Sequence, residues 1–302
     1  MNDEVENPFS LLADETRLGI VEAIGDASGD GEYVSLPYSA IQAALGDHDA
    51  GNLNYHLRKL KARFVERTDD GYRLTVPGIR VYQAISSGQF DGDRPTVPPT
   101  ELDADCDECG APLLASYEDG RFFVHCSDCD IMLHRYPVSP NSFDPDDVED
   151  LVRTANTRIH LDFSSMVDGI CPYCSGTVDH DLSTDDRVDA GVEERDVFAH
   201  LTCRVCGWFN HLSVEMVAFH HPVTVVFFER RGVPEHYLDP VVPGEWTTTV
   251  PSTDPWRVEV TIDLDGAEGT SPVGRDATLG TGDTLRLVVD GALDVVEWAV
   301  LE

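Results

Sequence analysis

Eight cysteines, all between residues 106 and 206 of a 302-residue chain, carry the most explicit chemistry in the sequence. They fall into four Cys-x-x-Cys pairs with none left over: Cys106 and Cys109, Cys126 and Cys129, Cys171 and Cys174, Cys203 and Cys206. Two intervening residues let a tight turn aim both sulfurs at one tetrahedral ion, and two such turns complete the four-thiolate shell that structural zinc prefers. Two Zn2+ sites are therefore predicted. The simplest pairing closes 106/109 with 126/129 and 171/174 with 203/206, giving two zinc ribbons; a cross-braced pairing uses the same residues. Gly110, Gly176 and Gly207 follow three of the pairs, where a knuckle needs backbone freedom. Four thiolates leave no open position for water, so the sites are predicted to be structural. Iron–sulfur ligation is the lesser alternative for the same thiolates.

Cys171-Pro172-Tyr173-Cys174 taken alone resembles the glutaredoxin active-site motif. A redox pair needs a helix N-terminus to lower its thiol pKa, however, and Ser175-Gly176-Thr177 reads as a turn. His125, His134, His200, His211, His220 and His221 lie near the ribbons, where complete thiolate shells leave them no ligand role.

A second set of residues has the chemistry to meet a nucleic acid. Residues 52–80 hold seven basic side chains against three acidic ones, in a chain with 21 basic residues, 56 acidic ones and a formal charge of −35. Lys59 and Lys61, the chain's two lysines, both fall there. Among the elements that must position them, Asp14 caps a helix over 14–24 with the apolar stripe Leu18, Val21 and Ile24, and Pro37 to Leu45 reads as a second helix. After a turn at Gly46-Asp47-His48, Asp49 caps a third helix whose stripe is Leu53, Leu57, Leu60 and Phe64. Burying that stripe turns Asn52, Asn54, Tyr55, His56, Arg58, Lys59 and Lys61 outward, a set suited to base edges and phosphates. A hairpin follows, Phe64 to Thr75 with its turn at Asp69-Asp70-Gly71, carrying Arg63, Arg67 and Arg73 on and beside its arms. Two helices joined by a short turn, the second amphipathic, make a helix-turn-helix pattern, and the hairpin makes a wing.

The segments Leu12-Ala13-Asp14-Glu15-Thr16-Arg17-Leu18 and Asn54-Tyr55-His56-Leu57-Arg58-Lys59-Leu60 resemble the ArsR-type winged-helix transcription regulators, in particular those of halophilic archaea. The resemblance covers roughly the first 90 residues. It implies a homodimer on double-stranded DNA, with contacts from Phe9 to Leu12 and from a final helix over Val76 to Ser87. Many such regulators sense metals through cysteines in this domain; the present one has none, so that property does not transfer.

The remaining elements place these two sets on separate domains. Residues 1–90 form the winged helix-turn-helix, 91–100 a proline-bearing linker (Pro95, Pro98, Pro99), 101–234 the double zinc-ribbon domain and 235–302 a β-rich segment, an α+β multidomain fold. A faint repeat runs through the middle, each half having two cysteine pairs and then a proline near a helix start. The first of these helices is expected to be capped by Asp144 with Pro145 at its first position, and to bury Val148, Leu151, Val152, Ala155 and Ile159. The stretch after Pro222 reads equally as a buried strand or a helix. In the last segment Trp256, Val258, Val260, Ile262 and Leu264 lie on one face, and Leu285, Leu287 and Val289 on another, with turns at Asp265-Gly266 and Asp290-Gly291.

Composition bounds the rest. No apolar run approaches the roughly 20 residues of a membrane span, and the acidic start lacks a secretory signal, which places the protein in the cytoplasm. The scattered acids fit a protein that works in molar salt, where the Debye length falls to about 3 Å and self-repulsion is screened. Such salt weakens phosphate contacts steeply, so a DNA reader must lean on base contacts and shape. No nucleophile–base pair, phosphate loop or open metal site marks an enzyme. The expected function is transcription regulation, and the competing one is a zinc-stabilised adaptor whose winged helix binds protein.

Overall fold

The computed structural model describes residues 7–28, 34–46, 52–61, 63–92, 94–106, 108–129, 131–184, 197–232, 244–264 and 283–301. The turn read at 47–48, the cap at Asp49 and the turn at 265–266 lie outside them. The chain divides into two compact units, 1–94 with 139–141, and 95–138 with 142–302. Each has its own apolar core. Among the described residues no helix is long and apolar enough to cross a membrane.

The first unit holds α1 (Pro8–Leu12), α2 (Glu15–Asp26), α3 (Tyr38–Leu45), α4 (Leu53–Leu60), the hairpin strands β1 (Val65–Arg67) and β2 (Tyr72–Leu74), and α5 (Val76–Ser86). Asp14 caps α2 as expected, its carboxylate accepting from the Arg17 N–H at 3.1 Å. Ile20, Val21 and Ile24 of α2 meet Ile41 of α3 and Leu53, Leu57 and Leu60 of α4 in the core. Phe64 completes the α4 stripe from just beyond the helix end. Gly25 lets α5 lie close, because a Cβ there would sit 2.2 Å from the Tyr82 ring, whose hydroxyl donates to Asp26 Oδ1 at 2.8 Å. Backbone bonds between Leu36 and Tyr72, in both directions, add a third short arm to the hairpin.

The second unit begins with an antiparallel meander, β3 (Val97–Asp105), β4 (Pro112–Glu118), β5 (Arg121–Cys126) and β6 (Met132–Pro137). The segment read as a linker over 91–100 is thus an edge strand from Val97 onward; Pro98 and Pro99 fall where the pairing with β4 is interrupted between Val97 and Thr100, so no ladder N–H is asked of them. Helix α6 (Val148–Val167) follows, then the three-stranded sheet β7 (Val178–Ser183), β8 (Phe198–Cys203) and β9 (Phe209–Ser213), and helices α7 (Val214–Phe219) and α8 (Pro222–Arg230). The ambiguous stretch after Pro222 is therefore helical, with His221 as its cap. The start of α6 also moves: Asp147, not Asp144, is its cap, accepting from the N–H groups of Glu149 and Asp150. Asp144 instead accepts from the Asp146 N–H in a turn before the helix, which leaves Pro145 outside it.

A second meander closes the unit: β10 (Glu245–Thr253), β11 (Trp256–Asp263), β12 (Thr284–Asp290) and β13 (Val295–Leu301). The two apolar sets read as separate faces are one face. Val258 pairs with Val289, Val260 with Leu287 and Ile262 with Leu285, and all six are buried. Alternation within a strand reveals its two faces but not which faces coincide across a pair, and register supplies that. These residues belong to the same core as Leu113 and Val124 of the first ribbon, Leu151 and Ile159 of α6, and Leu201 of the second ribbon.

Candidate metal centres and nucleic-acid interface

The strands bring the cysteines together as two separate groups, Cys106/Cys109/Cys126/Cys129 and Cys171/Cys174/Cys203/Cys206, with all sulfurs in a group within 4.8 Å of one another. Pairing is sequential. In the first group the turns β3–β4 and β5–β6 face each other, with Cys106 Sγ 3.7 Å from Cys129 Sγ and Cys109 Sγ 3.4 Å from Cys126 Sγ. The second group repeats this, with 3.7 Å between Cys171 and Cys206 and 3.4 Å between Cys174 and Cys203. These separations exceed a disulfide bond of about 2.05 Å. They approach the edge of a tetrahedron whose centre lies about 2.3 Å from each sulfur, roughly 3.8 Å, so each group fits one metal ion with a complete thiolate shell.

Each knuckle is shaped by backbone bonds that fold the chain around the sulfurs. Gly110 N–H donates to the Cys106 carbonyl at 2.8 Å, Ser175 N–H to that of Cys171 at 2.9 Å and Gly207 N–H to that of Cys203 at 3.1 Å. The residue just after the second cysteine takes a positive φ in these three knuckles: 70° at Gly110, 59° at Ser175 and 73° at Gly207. Gly176 therefore has a different role from the one its spacing suggested. It is small because Val205 lies over it, with a Cβ there falling 2.6 Å from Val205 Cγ2.

Electrostatics prepares the inner sulfurs for a cation. The N–H groups of Asp128 and Cys129, each 3.4 Å from Cys126 Sγ, pull that thiol down to about 6. The N–H groups of Cys206 and Val205 do the same for Cys203, also to about 6. The first cysteine of every pair is buried. No histidine joins either group among the described residues. Instead His200 and His211 pair across β8 and β9, His221 caps α8, and His160 and His220 approach through Nδ1 at 2.6 Å.

Where β6 meets α6 lies a buried polar cluster that sequence reasoning missed. Asp162 of α6 is 2% exposed; its Oδ2 accepts from the Tyr136 hydroxyl at 2.8 Å and from Arg158 Nε at 2.9 Å. Tyr173, from the third cysteine pair, lies near the same group, with the Arg158 guanidinium 6.0 Å from its ring centre. Burial raises the Asp162 carboxyl above its ordinary value against the opposing pull of Tyr136 and Arg158. The available signal was an acid set within the stripe Ile159, Phe163 and Met166.

In the first unit, α4 buries Leu53, Leu57 and Leu60 and exposes Asn54, Tyr55 and Arg58, with Asn52 and Lys61 exposed at its two ends. Arg58 lies over the Tyr55 ring at 5.8 Å. Lys59 and Arg63 are half-buried, and Arg67 is exposed on the hairpin. One residue departs from the expected outward set, and one on the hairpin is engaged by its neighbour. His56 is only 12% exposed and turns its Nδ1 toward Asp14 Oδ1 at 3.4 Å, because the α2 cap lies beside that turn of α4. Arg73 is held by Glu66 directly across the hairpin, with Nε 2.6 Å from Oε1.

No curated protein and no solved structure matches the chain. The model of a family described as Domain of unknown function (DUF7347) matches residues 5–85, the stretch that carries α1 to α5. The model of a second, Domain of unknown function (DUF7351), matches residues 103–279, which span both cysteine groups and more than half of the chain, and the protein belongs to that family.

Proposed function

We propose that the protein is a dimeric DNA-binding transcription regulator. In this reading α4 is the recognition helix of a winged helix-turn-helix, the β1–β2 hairpin is its wing, and two Zn2+ ions hold the second unit as an effector or assembly domain. One observation carries it. In a chain of net charge −35, the exposed side of α4 presents Asn54, Tyr55 and Arg58, with Lys61 at its end, while the opposite side is packed into the core. Asparagine and arginine make bidentate contacts to adenine and guanine edges, which keep their value in salt better than phosphate contacts do. Zinc is favoured at the cysteine groups because four thiolates at tetrahedral spacing are its usual structural shell. With the shell complete, the ion's role is to hold the knuckles together, and no catalytic step is assigned to it. The dimer contacts implied by the family resemblance are α1 and α5.

The test is selection and sequencing of host genomic fragments bound by the purified protein in molar KCl, beside a variant with Asn54→Ala and Arg58→Ala. Enrichment of a shared inverted repeat that the variant loses supports the reading. No enrichment by a folded, metal-loaded protein overturns it in favour of the protein-binding adaptor.

A further inference from the structure

The edge strands of the second unit differ sharply in how they meet solvent. An open edge is a row of unpaired N–H and C=O groups, and proteins blunt it with proline, charge or a covering segment. β3 carries Pro98, Pro99, Glu101, Asp103 and Asp105; β6 carries Arg135 and Pro137; β7 carries Asp179 and Asp181; β10 carries Glu245 and Pro251. β9 exposes Phe209 but is only five residues long, with the polar Asn210 and His211 in it, shortness being another way to blunt an edge. β13 has one charge in seven residues, Glu297, and exposes Val296 at 43%, Trp298 at 48% and Leu301 at 42%. Among the described strands it pairs with β12 alone, on one side.

We propose that β13 pairs antiparallel with β13 of a second copy of this chain, joining two four-stranded sheets into one. The strand's own pattern selects that occupant. A bulge at Val296 leaves Glu297 to Leu301 as the regular stretch, paired residue by residue with Val288 to Thr284. A two-fold axis through Ala299 matches this stretch to itself. Trp298 then faces Val300 of the second copy, and Glu297 faces Leu301 of the second copy. The residue on the axis, where identical side chains meet, is the smallest of the five. Trp298 and Val300 stand opposite Leu287 and Leu285, so they share the core-facing side, and the new pairs extend the apolar face past its present edge. Aromatic and β-branched residues directly opposite one another are favourable cross-strand partners. Charge agrees: Glu297 already has Arg286 at 3.8 Å within its own chain, and the axis keeps the two Glu297 side chains at opposite ends of the stretch.

The contact is small, so the pairing is weak and reversible and is best caught by a positioned probe. With p-benzoylphenylalanine at position 298 of the full chain in molar KCl, irradiation is expected to give a species of twice the mass whose cross-linked peptide contains 297–301 of the other copy. Two substitutions at exposed Leu301 test the register without disturbing the core. Leu301→Lys sets an ammonium opposite Glu297 of the second copy and is expected to raise the yield about threefold, while Leu301→Glu sets like charges opposite and lowers it by a similar factor. Lower salt also lowers the yield, since two chains of charge −35 then repel over a longer range. Cross-links only within one chain, cross-links to other segments of the second copy, or equal yields for the two Leu301 variants overturn the proposal. Because the readout is local to position 298, it does not depend on whether the first unit binds DNA.

Discussion

The Tyr136 hydroxyl donates to Asp162 Oδ2 at 2.8 Å and ties the last strand of the first ribbon to the middle of α6. Arg158 reaches the same carboxylate from one turn earlier on the helix. A carboxylate 2% exposed survives only with such partners, because an unsatisfied buried polar group costs more than a made hydrogen bond returns.

Tyr136→Phe removes one of those donors while keeping the ring, so it is expected to destabilise the second unit by about 1–3 kcal/mol. The pH dependence has a definite sign. Burial holds the Asp162 carboxyl above its unfolded value of 3.8, so its contribution is fully favourable below that pH and is lost as pH rises through the folded value. Loss of the Tyr136 bond, which opposes that shift, widens the window. The variant's deficit in urea unfolding, followed by tryptophan fluorescence, should therefore grow as pH rises above 3.8. All four tryptophans lie in the second unit, at 208, 246, 256 and 298, so the signal reports on it alone.

Metal content gives a second expectation. The two cysteine groups share no residue, so Cys126→Ser should cost one bound ion and Cys203→Ser the other, each variant keeping about one of two by elemental analysis. A strong chelator should remove both and unfold the second unit, since binding free energy at such sites is folding free energy. Amides of α2 in the first unit should keep their exchange protection, because its core contains neither group. Loss of both ions from either single variant would contradict two closed sites.

What the sequence disclosed here follows from which information is local. The cysteine spacing, the α4 stripe and the Asp14 cap are patterns within a few residues, and each reappears in the structure. Sequential closure of the cysteine pairs needed the strand pairing to choose it over cross-bracing. The start of α6 was misplaced by three residues because Asp144, Asp146 and Asp147 all have side chains able to cap, and tertiary packing selects among them. His56 left the outward face because its partner Asp14 sits on a neighbouring element, and Arg73, although exposed, is engaged by Glu66 across the hairpin. Asp162 was invisible as a site because its partner Tyr136 is brought in by a strand of the first ribbon, far from α6 in the sequence.

The arginines of the first unit are expected to differ in their effect on DNA. Arg58 is exposed on α4, whereas Arg73 already commits its guanidinium to Glu66. On the proposed function, Arg58→Ala should weaken operator binding by about tenfold or more, the loss of one good base contact. Arg73→Ala should change it by less than about threefold. Titration of both variants against one operator fragment at fixed KCl decides this, and equal losses would argue for diffuse phosphate binding.

Asp14 supplies a prediction with the opposite pH sign to Asp162. Against the cost of its burial, the Arg17 backbone N–H and guanidinium and the nearby His56 hold its carboxyl below the ordinary value of 3.8. A depressed carboxylate contributes stability above its unfolded value and loses it as pH falls through the folded one. Asp14→Asn keeps a capping oxygen and removes the charge, so exchange protection in α2 should fall by well under about 1 kcal/mol at pH 7. The difference should vanish in acid, below the folded value.

The second cysteine group contains the last contrast, between adjacent residues with different constraints. Ser175 takes the positive φ that Gly110 and Gly207 take in their knuckles, at a cost of roughly 1–2 kcal/mol for a residue with a Cβ. Ser175→Gly removes that cost and should leave metal retention unchanged or improved. Gly176 has no spare room, since a Cβ would lie 2.6 Å from Val205 Cγ2 and 3.2 Å from Cys174 Sγ. Gly176→Ala must push Val205 or the Cys174 sulfur aside, an overpacking that costs about 1–3 kcal/mol. It should speed transfer of one ion of the two to a chromogenic chelator while the other leaves at its normal rate. If Ser175→Gly were the damaging change and Gly176→Ala the silent one, spacing from the cysteines rather than close approach would govern this knuckle.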